Sequence, residues 1–264
     1  MTQQTSPALR TALVTGASTG IGEATARRLR ADGWQVFAVA RRADRLEALA
    51  EATGVVPLTA DISEDDDVAR LLETVTAAGG IDTLINVAGG ARGADRVAQA
   101  DTEDWEWMYR VNVLGTLKLT RAFLPMLRAH GRGTILNVTS TAGHVAYEGG
   151  AGYNAAKFGQ AALNDALRLE EAEHNIRVIE VAPGLVHTEE FALRRLGDAD
   201  AAAKVYAGVA EPLVADDVAD LIAYAVQAPH HVNLSHVTIR PVAQPAAHKL
   251  LRGPLGGAGG HTGS

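Results

Sequence analysis

Cysteine is missing altogether from this chain of 264 residues. Its absence excludes disulfides, thiolate metal ligands and a cysteine nucleophile, and it gives no reason to expect an oxidising compartment. Long apolar runs are missing too, because none approaches the roughly 18 residues that a transmembrane helix requires. The first ten residues, MTQQTSPALR, lack the charged-then-apolar layout of a secretory signal. We therefore expect a cytoplasmic protein with no membrane partner and no metal site.

The chain also has no excess of positive charge. Its formal net charge is -7, so a broad electrostatic attraction to nucleic acid or to an anionic membrane is not expected. Hydrophobic residues make up 47% of the chain and charged residues 21%, a balance typical of soluble globular proteins. The length is sufficient for one large core.

Short apolar runs rich in Val, Ile and Leu recur along the chain. They do not alternate with polar residues, so they predict parallel strands that are buried on both faces. The runs are TALVT (11–15), QVFAVA (35–40), VVPLTA (55–60), DTLINVA (82–88), GTILNVTS (133–140), IRVIEVA (176–182) and HVTIR (236–240).

Amphipathic stretches separate these runs. Residues 22–32 and 65–78 place apolar side chains on one helical face. Strands that alternate with such helices predict an α/β fold, namely a doubly wound (Rossmann) three-layer sandwich with a seven-stranded parallel sheet. We predict a single NAD(P)-binding domain over residues 1–264, with its core at about 9–242 and a flexible glycine-rich tail at 253–264.

The first predicted strand runs directly into a glycine-rich turn and then into a helix. Glycine at such a junction lets the backbone approach a pyrophosphate, which the positive end of the helix dipole stabilises. Glycine turns are common, so the position at the first strand–helix junction is what makes this one informative. The predicted cofactor-binding residues of the turn are Gly16, Ser18, Thr19, Gly20, Ile21 and Gly22.

Two arginines follow the second predicted strand. Arg41 and Arg42 offer charged donors to a 2′-phosphate, whereas an acidic residue there would accept hydrogen bonds from both ribose hydroxyls of NAD. The pattern therefore favours NADP(H) as the cofactor, and nearby Asp44 is the residue that argues against it. The alternative is that both arginines only cap a surface loop.

The third and fourth predicted strands are followed by further candidate cofactor contacts. Asp61, with Ile62 after it, can accept a hydrogen bond from the adenine amino group or cap the next helix. Ala88 and Gly89 provide a flat floor beside the adenosine ribose. Asn86 belongs to the same predicted set, although its character favours a structural hydrogen bond over a catalytic role.

Tyr153 and Lys157 are four residues apart in a long helical pattern, so both project from one face. A tyrosine that acts as a base must lose its proton, and a neighbouring ammonium favours the phenolate. Ser140 ends the fifth predicted strand and can hold a carbonyl oxygen beside the tyrosine. Asn112, a polar residue amid an apolar helical face, either satisfies a helix carbonyl or positions water for proton supply to Lys157.

Together these motifs resemble the short-chain dehydrogenases/reductases, in their compact single-domain branch. The resemblance covers roughly residues 9–242, and the motifs occur in the family's order and spacing. The matching stretches are TGASTGIG (15–22), Asp61-Ile62, NVAG (86–89), Asn112, Ser140, YNAAK (153–157) and PGLVHT (183–188).

The resemblance implies roles for individual residues. The implied catalytic tetrad is Asn112, Ser140, Tyr153 and Lys157, of which the last two also contact the cofactor. The implied neighbours of the nicotinamide are Pro183, Gly184, Val186 and Thr188. The sequence departs from the family at Val87, where many relatives carry a second asparagine.

The resemblance also implies an NADP(H)-dependent oxidoreductase that interconverts an alcohol and a ketone or aldehyde by hydride transfer. The reductive direction is expected, because cells usually keep this cofactor pool reduced. At Glu180 and at HVTIRPVAQP (236–245) the sequence differs from what ketoacyl reductases usually carry. At these positions it is similar to the branch of clavulanate dehydrogenase, serine dehydrogenase and sulfoacetaldehyde reductase, which act on small polar substrates. The alternatives are a 3-oxoacyl-thioester reductase and a non-catalytic nucleotide-sensing protein, which would be expected to lose Tyr153.

Two expectations concern the surface of the protein. His144 and the residues Glu189–Phe191 are expected near the mouth of the substrate pocket, although the composition of 189–197 fits a helix or a loop. Apolar residues crowd the segment around Trp105 and the Tyr153 helix, and they predict assembly, since monomers rarely expose large apolar patches. The resemblance implies a homotetramer, because relatives pair these two helices across a two-fold axis and use the final strand with its adjoining helix for a second contact. The alternative is that other parts of the same chain cover these surfaces.

Overall fold

A seven-stranded parallel sheet forms the centre of the protein. The computed structural model describes residues 9–255. The strands of this sheet, in chain order, are β1 Thr11–Thr15, β2 Gln35–Ala40, β3 Val56–Thr59, β4 Thr83–Asn86, β5 Thr134–Val138, β6 Arg177–Pro183 and, as the last strand, β9 Val237–Ile239. Their spatial order is β3-β2-β1-β4-β5-β6-β9, and every pairing is parallel. The predicted doubly wound fold is confirmed.

Helices cover both faces of the sheet. The α-helices of the described residues are α1 Gly20–Ala31, α2 Ala43–Thr53, α3 Asp65–Ala77, α4 Thr102–Tyr109, α5 Gly115–His130, α6 Ala151–Glu171, α7 Phe191–Leu196, α8 Ala199–Tyr206 and α9 Ala215–Gln227. Helices α1, α2 and α9 pack on one face, and α3, α5 and α6 pack on the other, each with its own buried apolar cluster. The result is the predicted three-layer arrangement.

Strand β1 shows why the apolar runs do not alternate with polar residues. Ala12, Leu13 and Val14 are all fully buried, but Leu13 belongs to the cluster on one face and its two neighbours to the cluster on the other. A strand buried on both faces needs apolar side chains at successive positions. Edge strand β3 departs from this pattern, since its residues alternate between half-buried and exposed.

Three local features were not predicted from the sequence. A short parallel pair joins β7 Val186–His187 to β8 Leu213–Val214 outside the main sheet. A π-helical turn, Arg110–Leu114, interrupts the helical segment between α4 and α5. The region 189–197, for which composition fits a helix or a loop, contains helix α7.

The glycine-rich end of the chain lies partly in the described region. The Gly253 amide donates to the carbonyl of Gly208 at 2.7 Å, so residues up to 255 pack against the loop after α8. The rest of the predicted tail, 256–264, lies outside the described residues. Within 9–255, no helix combines the length and the apolar character needed to cross a membrane.

Candidate active site

One cavity of about 880 Å³ opens at the carboxyl ends of β1, β2, β4, β5 and β6. Parallel sheets of this kind bind ligands at this edge, beside the neighbouring strands β1 and β4, because the order of the strands changes direction between these two. The predicted residues that line the cavity are Gly16, Ser18, Thr19, Gly20, Ile21, Gly22, Arg41, Arg42, Asp61, Ile62, Ala88, Gly89, Ser140, Tyr153, Lys157, Pro183, Gly184, Val186 and Thr188. Asn86 and Asn112 do not line it.

The glycine-rich turn leaves room for a ligand against the backbone. Gly16 has φ +68° and Gly20 has φ +55°, a region in which side chains are strained. A Cβ on Gly22 would lie 2.3 Å from the Gly16 carbonyl oxygen, so only glycine fits there. Thr19 begins α1 without a side-chain cap, which leaves the first amides of the helix facing the cavity. The turn is shaped to hold a pyrophosphate.

Arg42 lies directly beside the glycine turn. Its guanidinium donates to the Ser18 hydroxyl at 3.0 Å and forms an ion pair with Glu190 at 2.6 Å. Arg41 is more exposed and lies 3.6 Å from the carboxylate of Asp61. Asp44, which argued against NADP(H), starts α2 on the exposed side and does not belong to the cavity lining.

Asp61 holds the turn before α3 as well as lining the cavity. Its Oδ1 accepts from the Ser63 amide at 3.0 Å and from the Ser63 hydroxyl at 2.7 Å. The N-cap of α3 is Glu64, so neither Asp61 nor Ser63 caps the helix. One carboxylate oxygen of Asp61 therefore has a structural role, and the other lies near Arg41.

Asn86 is a correction to the predicted cofactor-binding set. It is fully buried in β4, and its Nδ2 donates to Asn137 Oδ1 at 2.9 Å on the neighbouring strand. The side chain therefore joins two strands inside the sheet and does not reach the cavity. The sequence analysis favoured a structural hydrogen bond for this asparagine, and the structure shows one.

Asn112 lies in the π-helical turn and is fully buried. Its Nδ2 donates to the carbonyls of Met108 at 2.7 Å and Gly90 at 2.9 Å, and its Oδ1 accepts from the Gly90 amide. The side chain thus satisfies a helix carbonyl, as one sequence alternative proposed, and fixes the loop after β4 that forms one wall of the cavity.

Ser140 and Tyr153 meet at the centre of the cavity. The Ser140 hydroxyl accepts from the Ala142 amide at 3.1 Å, which fixes its position at the end of β5. Burial raises the pKa of Tyr153 well above its usual value, and the hydroxyl of Ser140 and the charge of Arg195 oppose that rise. Tyr153 is therefore protonated at neutral pH, as a proton donor must be.

Burial, and not the charge of Lys157, sets the direction of the pKa shift of Tyr153 in this structure. The Lys157 ammonium lies 5.9 Å from the centre of the Tyr153 ring and donates to Gln160 Oε1 at 2.7 Å and to the Val138 carbonyl at 3.3 Å. Burial lowers the pKa of Lys157 itself to about 7, against the opposing charge of Glu180. A lysine that is half-neutral at pH 7 exerts only part of a full charge on its neighbours.

The substrate end of the cavity contains arginines that were not predicted from the sequence. The Arg195 guanidinium carbon lies 5.8 Å from the centre of the Tyr153 ring, and Nη1 of the same side chain donates to the Tyr147 hydroxyl. Arg92 lies over the Trp107 ring at 4.1 Å. No local motif marks these residues, because they come together only through the fold.

The lining of the cavity is cationic in a chain whose net charge is negative. Five arginines line it against two carboxylates, Asp61 and Glu190. Phe191 packs edge-on against Tyr153, with ring centres 5.9 Å apart, so that the start of α7 covers the tyrosine. Such a site is suited to anionic ligands.

His144 is not at the mouth of the cavity. It lies just beyond the 3-10 turn that follows Ser140, and its Nε2 is 2.7 Å from the carboxylate of Glu180. The histidine does not belong to the cavity lining, so its predicted position near the mouth of the pocket is wrong. Residues Glu189–Phe191 were also predicted to lie near the mouth of the pocket, and two of them, Glu190 and Phe191, line the cavity.

Comparison with known proteins agrees with this geometry. The family model described as short chain dehydrogenase matches residues 10–197. The chain belongs to that family. The predicted family membership and the prediction of an oxidoreductase enzyme are thereby confirmed.

Individual relatives extend the match over most of the chain. An uncharacterised oxidoreductase of Mycobacterium tuberculosis is 49% identical over 246 residues, which cover 93% of this chain and 96% of that protein. An NADP-dependent 3-hydroxy acid dehydrogenase of Schizosaccharomyces pombe is 36% identical over 92% of this chain and 96% of its own length. The solved closed form of serine dehydrogenase complexed with NADP+ has a TM-score of 0.87 and 34% identity, with 92% of this chain and 99% of that one covered.

Proposed function

We propose that this protein is an NADP(H)-dependent oxidoreductase that interconverts the hydroxyl and carbonyl forms of a small substrate carrying a carboxylate, in the reductive direction in the cell. The observation that carries the proposal is the position of Arg195, whose charge lies beside the Tyr153 ring within the cavity that also contains the glycine turn. One site thus offers a nucleotide cradle, a proton donor and an anion-binding group.

The cofactor is NADP(H). A Cβ at Gly16 would lie 3.0 Å from the Ala88 amide nitrogen, so glycine is what lets the turn pack closely against the loop after β4. Arg41 and Arg42 supply the positive charge that a 2′-phosphate needs at the end of β2. The Schizosaccharomyces pombe relative is named as NADP-dependent, and the serine dehydrogenase structure is a complex with NADP+.

The residues of the chain divide the chemistry among them. When bound, NADP(H) supplies or accepts the hydride. In reduction, Tyr153 donates its phenolic proton to the carbonyl oxygen, and the Ser140 hydroxyl donates a hydrogen bond to the same oxygen. Phe191 covers Tyr153 and excludes water from it. Lys157 holds a proton close to the tyrosine and is positioned by Gln160.

A carboxylated substrate matches the charge of the substrate end. Arg195 and Arg92 both line the cavity near Tyr153. A carboxylate separated from the reacting carbon by one or two bonds would place its charge near Arg195 while the carbonyl oxygen contacts Tyr153. The names 3-hydroxy acid dehydrogenase and serine dehydrogenase, borne by relatives, describe substrates of this kind.

Matched substrates test the proposal. We expect oxidation of 3-hydroxypropanoate with NADP+ at a kcat/KM at least about tenfold above that of its methyl ester or of 1-propanol, since a charge-assisted contact contributes about 1.5–3 kcal/mol. Equal rates for the three alcohols would contradict the carboxylate. Turnover confined to 3-oxoacyl thioesters would favour the alternative reductase, and binding of NADPH with no turnover of any substrate would favour the regulatory alternative.

We also propose that the chain assembles as a homotetramer. Large apolar side chains remain partly exposed on two helical segments. Tyr109, Leu114 and Leu117 lie on the segment from α4 to α5, and Phe158 lies on α6. Pairing these helices in a second copy would bury them, and the edge of β9 offers a further contact. Light scattering at micromolar concentration should give four times the chain mass of 27.6 kDa; a mass near one chain would contradict assembly.

A further inference from the structure

A cluster of two histidines and a glutamate lies outside the cavity. His144 follows the end of β5, Glu180 lies within β6, and His236 directly precedes β9. His144 Nε2 is 2.7 Å from Glu180 Oε1, and His236 Nδ1 is 3.1 Å from Glu180 Oε2. The three residues are brought together by the order of strands, which is why no local motif announces them.

We propose that His144, Glu180 and His236 bind a divalent transition-metal ion of the zinc class. Two imidazole nitrogens and one carboxylate form a ligand set that zinc uses in proteins, with water in the fourth position. The three candidate ligand atoms all lie within 4.8 Å of one another. The absence of cysteine excluded thiolate sites, but it leaves this nitrogen–oxygen set open.

Neighbouring hydroxyl groups orient two of the ligands. His236 Nε2 lies 2.9 Å from Thr238 Oγ1, so the ring nitrogen that does not face Glu180 already has a partner. Because a threonine hydroxyl both donates and accepts, this bond persists when the proton moves to Nε2 and frees Nδ1 for a metal. Thr139 Oγ1 donates to Glu180 Oε1 at 2.5 Å and fixes the carboxylate.

The histidines have the freedom to admit an ion. Metal–ligand distances near 2.0–2.1 Å in a tetrahedral site separate the ligand atoms by about 3.3 Å. The 2.7 Å contact between His144 and Glu180 would therefore lengthen by about half an ångström. The side chains of His144 and His236 are 36% and 39% exposed, whereas Glu180 is 1% exposed. The two surface rings can move while the buried carboxylate stays in place.

The alternative explanation is that the histidines only satisfy a buried carboxylate by hydrogen bonding. Their rings are 4.3 Å apart at 67° and approach different oxygens of Glu180. Hydrogen bonding needs only that one nitrogen of each histidine lies near an oxygen of Glu180. Metal binding needs the same two nitrogens, together with the carboxylate, to bind one shared ion. The two explanations differ in what happens when a metal is added.

Such an ion would stabilise the fold near the active site without taking part in hydride transfer. It would join the loop after Ser140, strand β6 and the start of β9, three segments that are distant in sequence. The cluster is separate from the cavity lining among the described residues. The inference therefore does not depend on the proposed substrate or cofactor.

Zinc titration tests the proposal directly. The full chain, freed of any histidine tag and treated with chelator, is titrated with Zn²⁺ in competition with a chromophoric chelator. We expect one ion per chain, with affinity reduced at least about tenfold in His144→Ala and in His236→Ala. His231→Ala is the matched control, since it removes an exposed histidine elsewhere, and its affinity should equal that of the unmodified protein.

Two further measurements keep the test decisive. Thr238→Val removes only the partner of His236 and should weaken Zn²⁺ binding about tenfold, whereas a purely adventitious surface ion would not respond to it. Thermal unfolding with chelator present shows whether each variant still folds, and added Zn²⁺ should raise the Tm of the unmodified protein but not of His144→Ala. No binding by the unmodified protein, or binding by both histidine variants that is as tight as that of the unmodified protein, would overturn the proposal.

Discussion

The nucleotide end of the cavity is built from short runs at strand ends, whereas the substrate end collects single residues from distant segments. The glycine turn and Arg41–Arg42 each follow a strand directly, and both lie where the doubly wound sheet places any strand end. Arg92 and Tyr147 come from two different loops, and Arg195 comes from helix α7. The residues of the nucleotide end can be predicted from the sequence because the backbone topology positions them. The residues of the substrate end cannot, because side-chain packing positions them.

The largest expected effect is at the point where the two ends meet. Tyr153→Phe should lower kcat at least about 100-fold, because it removes the proton donor, while leaving the Kd for NADPH close to that of the unmodified enzyme. Steady-state kinetics and a fluorescence titration of NADPH measure the two quantities. Turnover near normal would remove Tyr153 from the mechanism. Tyr147→Phe is a control, because Tyr147 contacts Arg195 and lines the cavity without a role in proton transfer.

The substrate end alone should respond to Arg195→Met. We expect kcat/KM for a carboxylated substrate to fall about tenfold or more, since a charged contact is lost, and kcat/KM for its methyl ester to change far less. The ester serves as the internal control, because Arg195 also donates to the Gly93 and Gly149 carbonyls and its loss would disturb the loop for both substrates. Equal losses for acid and ester would mean that Arg195 is structural only.

The nucleotide end should respond to Arg42 and to its acidic partner in opposite directions. Arg42→Ala should reduce the preference for NADPH over NADH about tenfold. Glu190→Gln should raise NADPH affinity severalfold, because Glu190 pairs with Arg42 at 2.6 Å and competes with a phosphate for it. Kd values for both cofactors, measured in each variant, check this. Lower NADPH affinity in Glu190→Gln would show that the ion pair organises the site.

The smallest expected effect is a pH dependence that arises from Lys157. Burial lowers its pKa to about 7, so the protonated form prevails below that pH and is lost as pH rises through it. If the protonated lysine is the active form in reduction, kcat/KM for NADPH, which reports the free enzyme, should fall above about pH 7. In Lys157→Met the residual kcat/KM should show no such step. A profile that is flat between pH 6 and 9 in the unmodified enzyme would contradict the low pKa.

The sequence predicted the seven strands and most of the cavity lining because both follow from chain order. Asn86 shows the limit of that reasoning. Its position at the end of β4 suggested a cofactor contact, but its side chain lies under α5 and donates to Asn137 on the neighbouring strand. Periodicity also missed the π-helical turn at Asn112, since one extra residue in a turn hardly changes an apolar pattern. The pKa of Lys157 depends on burial by distant elements, which no spacing of residues reveals.

Isotope transfer tests the central claim that the two ends of the cavity form one hydride-transfer site. NADPH carrying deuterium on one face of C4 of the nicotinamide is incubated with the carbonyl form of the substrate, and the product alcohol is analysed by mass spectrometry. The account predicts that deuterium from one face, and not from the other, appears on the carbinol carbon, and that Tyr153→Phe lowers the rate but not the facial selectivity. A product without deuterium from either face would contradict it.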